Sequence, residues 1–271
     1  HKVNLEFEMG DFVVITGESG SGKSTLLNVI SGTDTYEDGE LYFQGKETSY
    51  YDDADWENYR KEKIGFVYQS YNLIDSFTVI DNVKAAIYIK NPHIEEKEAE
   101  EKALKYLEKV GLQEHAKKKS THLSSGQKQR LSIARALAKE TDIIVADEPT
   151  GNLDVENSIQ VVEILQELAK EKLVLMVTHN YDEVEQYATR KIRMFNGEVG
   201  EDIRLKEKHP VVQEKQAEVI QKIDKKTDFM LAKKMIQKVR ASKPHMTVIT
   251  AVLFLFIFFA VFVFYGSFEK N

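Results

Sequence analysis

"GESGSGKST" at residues 17–25 decides the fold. It has the spacing G-x-x-x-x-G-K-[ST], with Gly17, Gly22, Lys23 and Ser24 at the defining positions. Gly17, Ser19, Gly20, Ser21 and Gly22 are small or backbone-permissive, so successive N–H groups can turn inward onto phosphate oxygens. Before the loop, "FVVIT" at 12–16 is a continuous apolar run of the kind found in a buried strand. After it, "KSTLLNVISG" reads as a helix ending near Gly32. Strand, loop and helix in this order offer the positive end of the helix to a bound anion. Lys23 can then reach β- and γ-phosphates. The Ser24 hydroxyl can ligate Mg2+, with Thr25 beside it at the start of the helix.

Working outward, "VNLEFEMGDFVVITG" suggests two short strands joined at Met9-Gly10, with Phe7 and Phe12 in the strand core. Strand-like pieces recur at "GELYFQG", "KIGFVYQ", "DIIVADEP", "KLVLMVTH" and "KIRMFNGEV". The last holds Asn196-Gly197, a strong hairpin signal. Between about 74 and 139 the sequence turns helical. There "EEKEAEEKALKYLEKVGL" puts Ala103, Leu107 and Val110 on one face and closes at Gly111. In "IIVADEP" an apolar run meets two carboxylates. A buried strand ending at Asp147 would set that carboxylate beside the phosphates, where it could hold Mg2+ through water. Glu148 is next in line to polarise an attacking water.

"HLSSGQKQRLSIARALAKETDIIVADEPTGNLD" at 122–154 resembles the signature region of ATP-binding cassette (ABC) ATPases. Leu123-Ser124-Ser125-Gly126-Gln127 is similar to the LSGGQ motif, and Asp147-Glu148 to the Walker B end. Gly151-Asn152-Leu153-Asp154 resembles the D-loop, His179 in "VTHN" the switch histidine, and Gln69 in "FVYQ" the Q-loop. The resemblance covers about residues 1–200. It implies an α/β P-loop NTPase core with an antiparallel β subdomain and a helical subdomain. It also implies two cassettes paired head to tail. ATP would lie between Lys23 of one and Ser124, with the neighbouring N–H groups, of the other. Glu148 would activate water, and His179 would contact the γ-phosphate. Gln69 would sense Mg2+ and the membrane partner, and Asp154 would act across the dimer. Ser125 stands where the family has glycine, so a side chain enters a place of close backbone approach. The family's adenine-stacking aromatic would lie upstream of His1, so no base-stacking residue is assigned.

Within that family "STLLNVISGTDTYEDGELYFQG", "IGFVYQSYNLIDSFTVIDNV" and "PTGNLD" are most similar to the branch of macrolide exporters and lipoprotein-release ATPases. The resemblance implies movement of membrane and extracytoplasmic parts, driven by ATP, for export or release of peptides, antibiotics or lipoproteins. The alternative is a soluble-type cassette ATPase that regulates a process other than transport. The 55 positions from Gln69 to Ser124 are too few for the coiled-coil arms of the DNA-maintenance cassettes.

The remaining sequence bears on location. "TVITAVLFLFIFFAVFVFYG" at 247–266 carries no charge in a chain that is 30% charged as a whole. As a helix it reaches about 30 Å, the hydrocarbon thickness of a bilayer. The expected organisation is a cassette over 1–204, a linker with an amphipathic membrane-surface helix over 205–245, a transmembrane helix over 246–266, and the start of an extracytoplasmic segment over 267–271. Both ends are expected to continue in a longer protein. Lys233, Lys234, Lys238, Arg240 and Lys243 precede the apolar run, whereas only Lys270, beside Glu269, follows it. The positive-inside rule then keeps the cassette in the cytoplasm and puts the C-terminus outside a cell membrane. The expected partners are a second cassette, the lipid bilayer and further transmembrane permease parts. A net charge of −7 argues against nucleic acid. With no cysteine there is no disulfide or thiolate metal site.

Overall fold

The structure is a computed structural model that describes residues 3–210. In chain order its elements are β1 (Phe12–Thr16), α1 (Lys23–Ile30), β2 (Tyr42–Phe43), β3 (Lys46–Glu47), α2 (Asp53–Lys63), β4 (Ile64–Tyr68) and α3 (Val79–Lys90). There follow α4 (Glu96–Lys109), α5 (Ser125–Leu137), β5 (Ile143–Asp147), α6 (Val155–Ala169), β6 (Leu173–Val177), β7 (Arg190–Phe195) and β8 (Glu198–Arg204).

The apolar runs pair into one six-stranded sheet in the order β4-β5-β6-β1-β7-β8. All neighbours are parallel except the β7–β8 hairpin. Both faces of the sheet are covered, and this is why its central strands read as unbroken apolar runs. Alternation sorts their side chains. Phe12, Val14, Ile144, Ala146, Val174 and Met176 join the core under α3–α6. Val13, Ile15, Ile143, Val145, Leu175 and Val177 join the core with Leu27 of α1 and Tyr59 of α2. The hairpin expected at Asn196-Gly197 forms, with φ of 49° and 80° at the two turn residues.

The helical stretch resolves into α3, α4 and α5. Ala99, Ala103 and Leu107 of α4 are fully buried, with Val110 just beyond its end. Two helices escaped the sequence reading. Asp52 and Asp55 form a reciprocal capping box at the start of α2. Asp154 caps α6.

One expectation fails. Residues 3–8 form no strand, so the pair joined at Met9-Gly10 is reduced to β1 alone. Among the described residues no ladder partner lies beside them. A strand needs a neighbour for its N–H and C=O groups. The segment is held instead by a guanidinium hydrogen bond from Arg190 to the Glu6 carbonyl and an ion pair of Lys208 with Glu8. Phe7 is half-buried under the Arg190 guanidinium, 5.6 Å from it, and is not strand core. Phe12 is core, as expected. The expected membrane-surface and transmembrane helices fall at 211–271 and lie outside the described residues. Among the described residues no helix is long and apolar enough to cross a membrane.

The end of α1 depends on α2. The Tyr59 hydroxyl donates to the Ile30 carbonyl (2.8 Å) and Arg60 Nη1 to the Gly32 carbonyl (2.6 Å). These bonds satisfy acceptors that a helix end leaves open. Gly32 itself has φ +67°, and a Cβ there would lie 2.4 Å from the Trp56 ring. Gly32→Ala is expected to cost about 2–5 kcal/mol, from a left-handed backbone at ~1–2 kcal/mol and overpacking at ~1–3 kcal/mol. A urea unfolding midpoint measures it, and an unchanged midpoint would contradict the close approach of Trp56 to Gly32.

Candidate functional site

Register brings the site together. Tyr68 pairs with Asp147, Asp147 with Val177, and Val177 with Ile15. Those four residues lie on one line across the C-terminal edge of the sheet. Gln69, Glu148, His179 and Gly17 each follow within one or two positions, so four separate segments emerge side by side.

The loop after β1 is held from within. Lys23 is buried, and its Nζ donates to the carbonyls of Gly17 (2.9 Å) and Glu18 (2.8 Å). The Gly197 N–H of the β7–β8 turn donates to the Ser21 carbonyl at 3.0 Å and braces the loop from outside. The Ser21 hydroxyl is buried with no hydrogen-bond partner among the described residues. An orphaned hydroxyl inside a ring of glycines suits a phosphate, which can accept from it. Ser24 and Thr25 open α1 on the exposed side, at the helix end that favours anions. Ser19 and Gly20 are exposed in the loop.

The Ser24 hydroxyl lies 3.4 Å from Asp147 Oδ1. Both are hard oxygen donors beside the expected phosphates, so the pair fits Mg2+, which takes few protein ligands and completes its shell with water and phosphate. Burial raises the Asp147 pKa above the ordinary carboxylate value, and the neighbouring Glu148 raises it further. The Ser24 hydrogen bond and Lys23 oppose the shift. Glu148 has φ +47°, a left-handed conformation that is costly for a residue with a side chain. Its N–H donates to the Val177 carbonyl at 3.0 Å, and its Oε2 accepts from His179 Nδ1 at 2.6 Å. His179 is exposed, so its ring is held chiefly by that contact.

The Gln69 carbonyl accepts from Asn152 Nδ2 at 3.5 Å, and its side chain lies against Gly151. Asp154 accepts from the Asn157 N–H (2.9 Å) and from Asn157 Nδ2 at both of its oxygens (3.0 and 2.8 Å). These hydrogen bonds hold its carboxyl below the usual carboxylate range. Asn157 also touches the other functional helix, since a Cβ on Gly126 would fall 2.0 Å from Asn157 Oδ1. Glycine is therefore required at 126. Ser125 is the exposed first residue of α5, so its side chain points away from the packing that crowds Gly126 within this cassette. Ser124 is the N-cap of α5 and forms a capping box with Gln127.

The residues of 17–25, Gln69, Asp147, Glu148 and His179 are thus brought together. Ser124–Gln127 are not: no hydrogen bond among the described residues joins them to the phosphate loop. Asn157 had no sequence signal of its own. Its place follows from Asp154 being a helix cap, which makes it the third residue of α6.

The Asp147 carboxylate is half-buried next to a second carboxylate, so its charge works against the nucleotide-free fold. Asp147→Asn is expected to raise the urea midpoint of the nucleotide-free chain while abolishing Mg2+-dependent ATP turnover. A lowered midpoint would contradict this balance of burial and like-charge repulsion at Asp147.

Residues 1–151 match the ABC transporter family. The chain is 42% identical over 211 residues to a macrolide export ATP-binding/permease protein MacB of Mannheimia succiniciproducens, matching 77% of this chain and 32% of that protein. It thus spans about a third of the length of the MacB relatives it matches. It is 37% identical to a lipoprotein-releasing system ATP-binding protein LolD 1 of Chlorobium chlorochromatii, over 78% of this chain and 86% of that one. The fold superposes with a TM-score of 0.69 on the ATP-binding cassette MJ0796 of Methanocaldococcus jannaschii, a dimer in a post-hydrolysis state bound to ADP and Pi. The two share 38% identity, over 76% of this chain and 90% of that one. Phosphate loop, paired carboxylates, capped signature-like serine and these likenesses agree, and the chain belongs to the ABC transporter family as an ATPase cassette of the MacB/LolD type.

Proposed function

We propose that this chain is the ATP-binding and hydrolysing part of a MacB-like exporter, working as a pair of cassettes at a cell membrane. The observation that carries the reading is the division of the site. Phosphate loop, Mg2+ ligands, Glu148 and His179 share one sheet edge, whereas Ser124 stands on α5, bonded to none of them. A second cassette facing the first would bring its Ser124 to the open side of the nucleotide. The dimeric MJ0796 cassette supports this arrangement.

In this reading the Lys23 Nζ exchanges its two loop carbonyls for β- and γ-phosphate oxygens. Ser24 and Asp147 would hold Mg2+, which would supply neutralisation of phosphate charge. The backbone N–H groups of 17–25 and the N-terminus of α1 bind the rest of the phosphate chain. Glu148 takes a proton from the attacking water, and its left-handed backbone, tied to Val177, aims the carboxylate. His179 keeps Glu148 oriented and reaches the γ-phosphate. The partner's Ser124, with N–H groups at the start of its α5, closes the γ-phosphate from the far side. Gln69 sits between the Mg2+ ligands and the loop that leads to α3, suited to report occupancy to a permease part. Asp154, fixed by Asn157, stands beside the same dimer face.

We further infer the membrane attachment and its sidedness from the charge asymmetry around 246–266. The basic, apolar segment 227–244 would lie on the cytoplasmic surface and join cassette closure to tilting of the span. The relatives support a cargo among macrolides, lipoproteins and similar extracytoplasmic molecules.

Two experiments test this. Glu148→Gln is expected to cut ATP turnover by about 100-fold or more, the usual scale for a lost general base, and to trap an ATP-bound dimer. Lys23→Ala is expected to weaken nucleotide binding itself. Turnover retained by Glu148→Gln would refute the catalytic assignment. For the topology, a membrane-impermeant thiol reagent applied to cells should label Asn271→Cys and spare Ser242→Cys, against a background free of native cysteine. The reverse pattern, or labelling of neither, would sink the membrane arrangement.

A further inference from the structure

The cap that forms the signature-like serine site leans on one imidazole. Ser124 Oγ accepts from the Gln127 N–H at 3.3 Å, and the Ser124 N–H donates to Gln127 Oε1 at 3.1 Å. A backbone N–H can be accepted only by the oxygen of an amide, so the orientation of the Gln127 side chain is settled. Its amino group points the other way and lies 2.9 Å from His115 Nε2. An amide NH2 only donates. His115 Nε2 is therefore an acceptor, and the ring proton sits on Nδ1, which is buried without a partner among the described residues. Gln127 is the sole hydrogen-bond partner of the ring among the described residues.

The base under that ring is rigid. His115 ends a short 3-10 turn, with its N–H donating to the Leu112 carbonyl at 2.9 Å. Leu112 is fully buried and Ala116 nearly so. The carbonyls of Ala116 and Lys118 accept from the Ile80 and Val79 N–H groups, both at 2.9 Å. These are the first two N–H groups of α3, which have no partner inside their own helix. The backbone on both sides of His115 is thus tied to α3 as well as to α4.

We propose that His115 is a positioning residue for nucleotide closure, acting through Gln127 to hold Ser124 in its capping geometry. The inference rests on the reading that Ser124 meets the nucleotide bound by a second cassette. The Gln127 amide has two ways to face. In one it serves Ser124 and gives its amino group to His115. In the other the amino group meets the Ser124 N–H, two donors face each other and the cap opens. A neutral imidazole accepting at Nε2 selects the first. Without an acceptor at that place the side chain loses its anchor, and the first turn of α5 presents Ser124 and its N–H groups less often in the closing geometry. His115 acts only through Gln127.

The test uses the full chain in detergent. His115→Ala is expected to lower kcat about three- to tenfold, the scale of one neutral hydrogen bond. In a Glu148→Gln background it should weaken ATP-driven dimerisation by a similar factor. ADP affinity of the single cassette, set by the phosphate loop, should be unchanged. His115→Gln can place an oxygen near the ring's Nε2 and should restore most of the loss. The His115→Ala/Gln127→Ala double variant should be no worse than Gln127→Ala, because both remove one interaction. The inference is overturned by native behaviour of His115→Ala, by additive losses, or by a parallel fall in ADP affinity that His115→Gln does not repair. If the Glu148→Gln chain with native His115 stays single in ATP, the paired-cassette reading falls and takes this inference with it.

Discussion

Everything at the site depends on the parallel pairing of β4, β5, β6 and β1. In a parallel sheet every strand ends at the same edge, and the register Tyr68–Asp147–Val177–Ile15 makes those ends level. Residues 69, 148, 179 and 17 are far apart in sequence, yet each is placed by the strand that feeds it. The pairing is rigid because both faces of these strands are packed. Phe12 to Ile15 and Val174 to Val177 have no solvent exposure. A one-residue slip would exchange the two cores and misalign all four segments together.

On that edge several groups are held in costly arrangements. The Asp147 carboxylate is half-buried beside Glu148, and Glu148 sits in a backbone conformation few side chains accept. Lys23 meanwhile directs its charge at two loop carbonyls. In the function proposed above, a polyphosphate with a divalent cation would give Lys23 an anion, Asp147 a cation and the Ser21 hydroxyl an acceptor.

The helical half is organised differently, by helix ends and not by strands. Ser124 caps α5, Asp154 caps α6 and Thr78 caps α3. The first two are joined where Asn157 packs against Gly126, and α3 is tied to the chain around His115. Caps are good material for ligand sites because they leave N–H groups pointing outward. They are also adjustable, since a cap opens by a side-chain rotation where a strand cannot.

Much of this was legible in the residues. The strand–loop–helix around Lys23, the apolar run into Asp147-Glu148 and the turn at Asn196-Gly197 are local patterns. Each is dictated by backbone sterics or by burial over fewer than ten residues, so the sequence alone determines them. α2 was missed because its mean composition is polar, and only its capping box announces it. The strand expected before Met9 failed because a strand is not a local object and needs a neighbour to bond. The roles of Asn157 and His115 could not be read from the sequence. The packing of α5 on α6 makes the first significant. The second depends on a 3-10 turn that brings a ring to an amide twelve positions away. The sequence by itself determined which groups are the candidates for phosphate and cation, because that chemistry is local. The tertiary structure decided which groups hold them in place, because a hydrogen bond between distant residues exists only once the sheet and helices have fixed their distance.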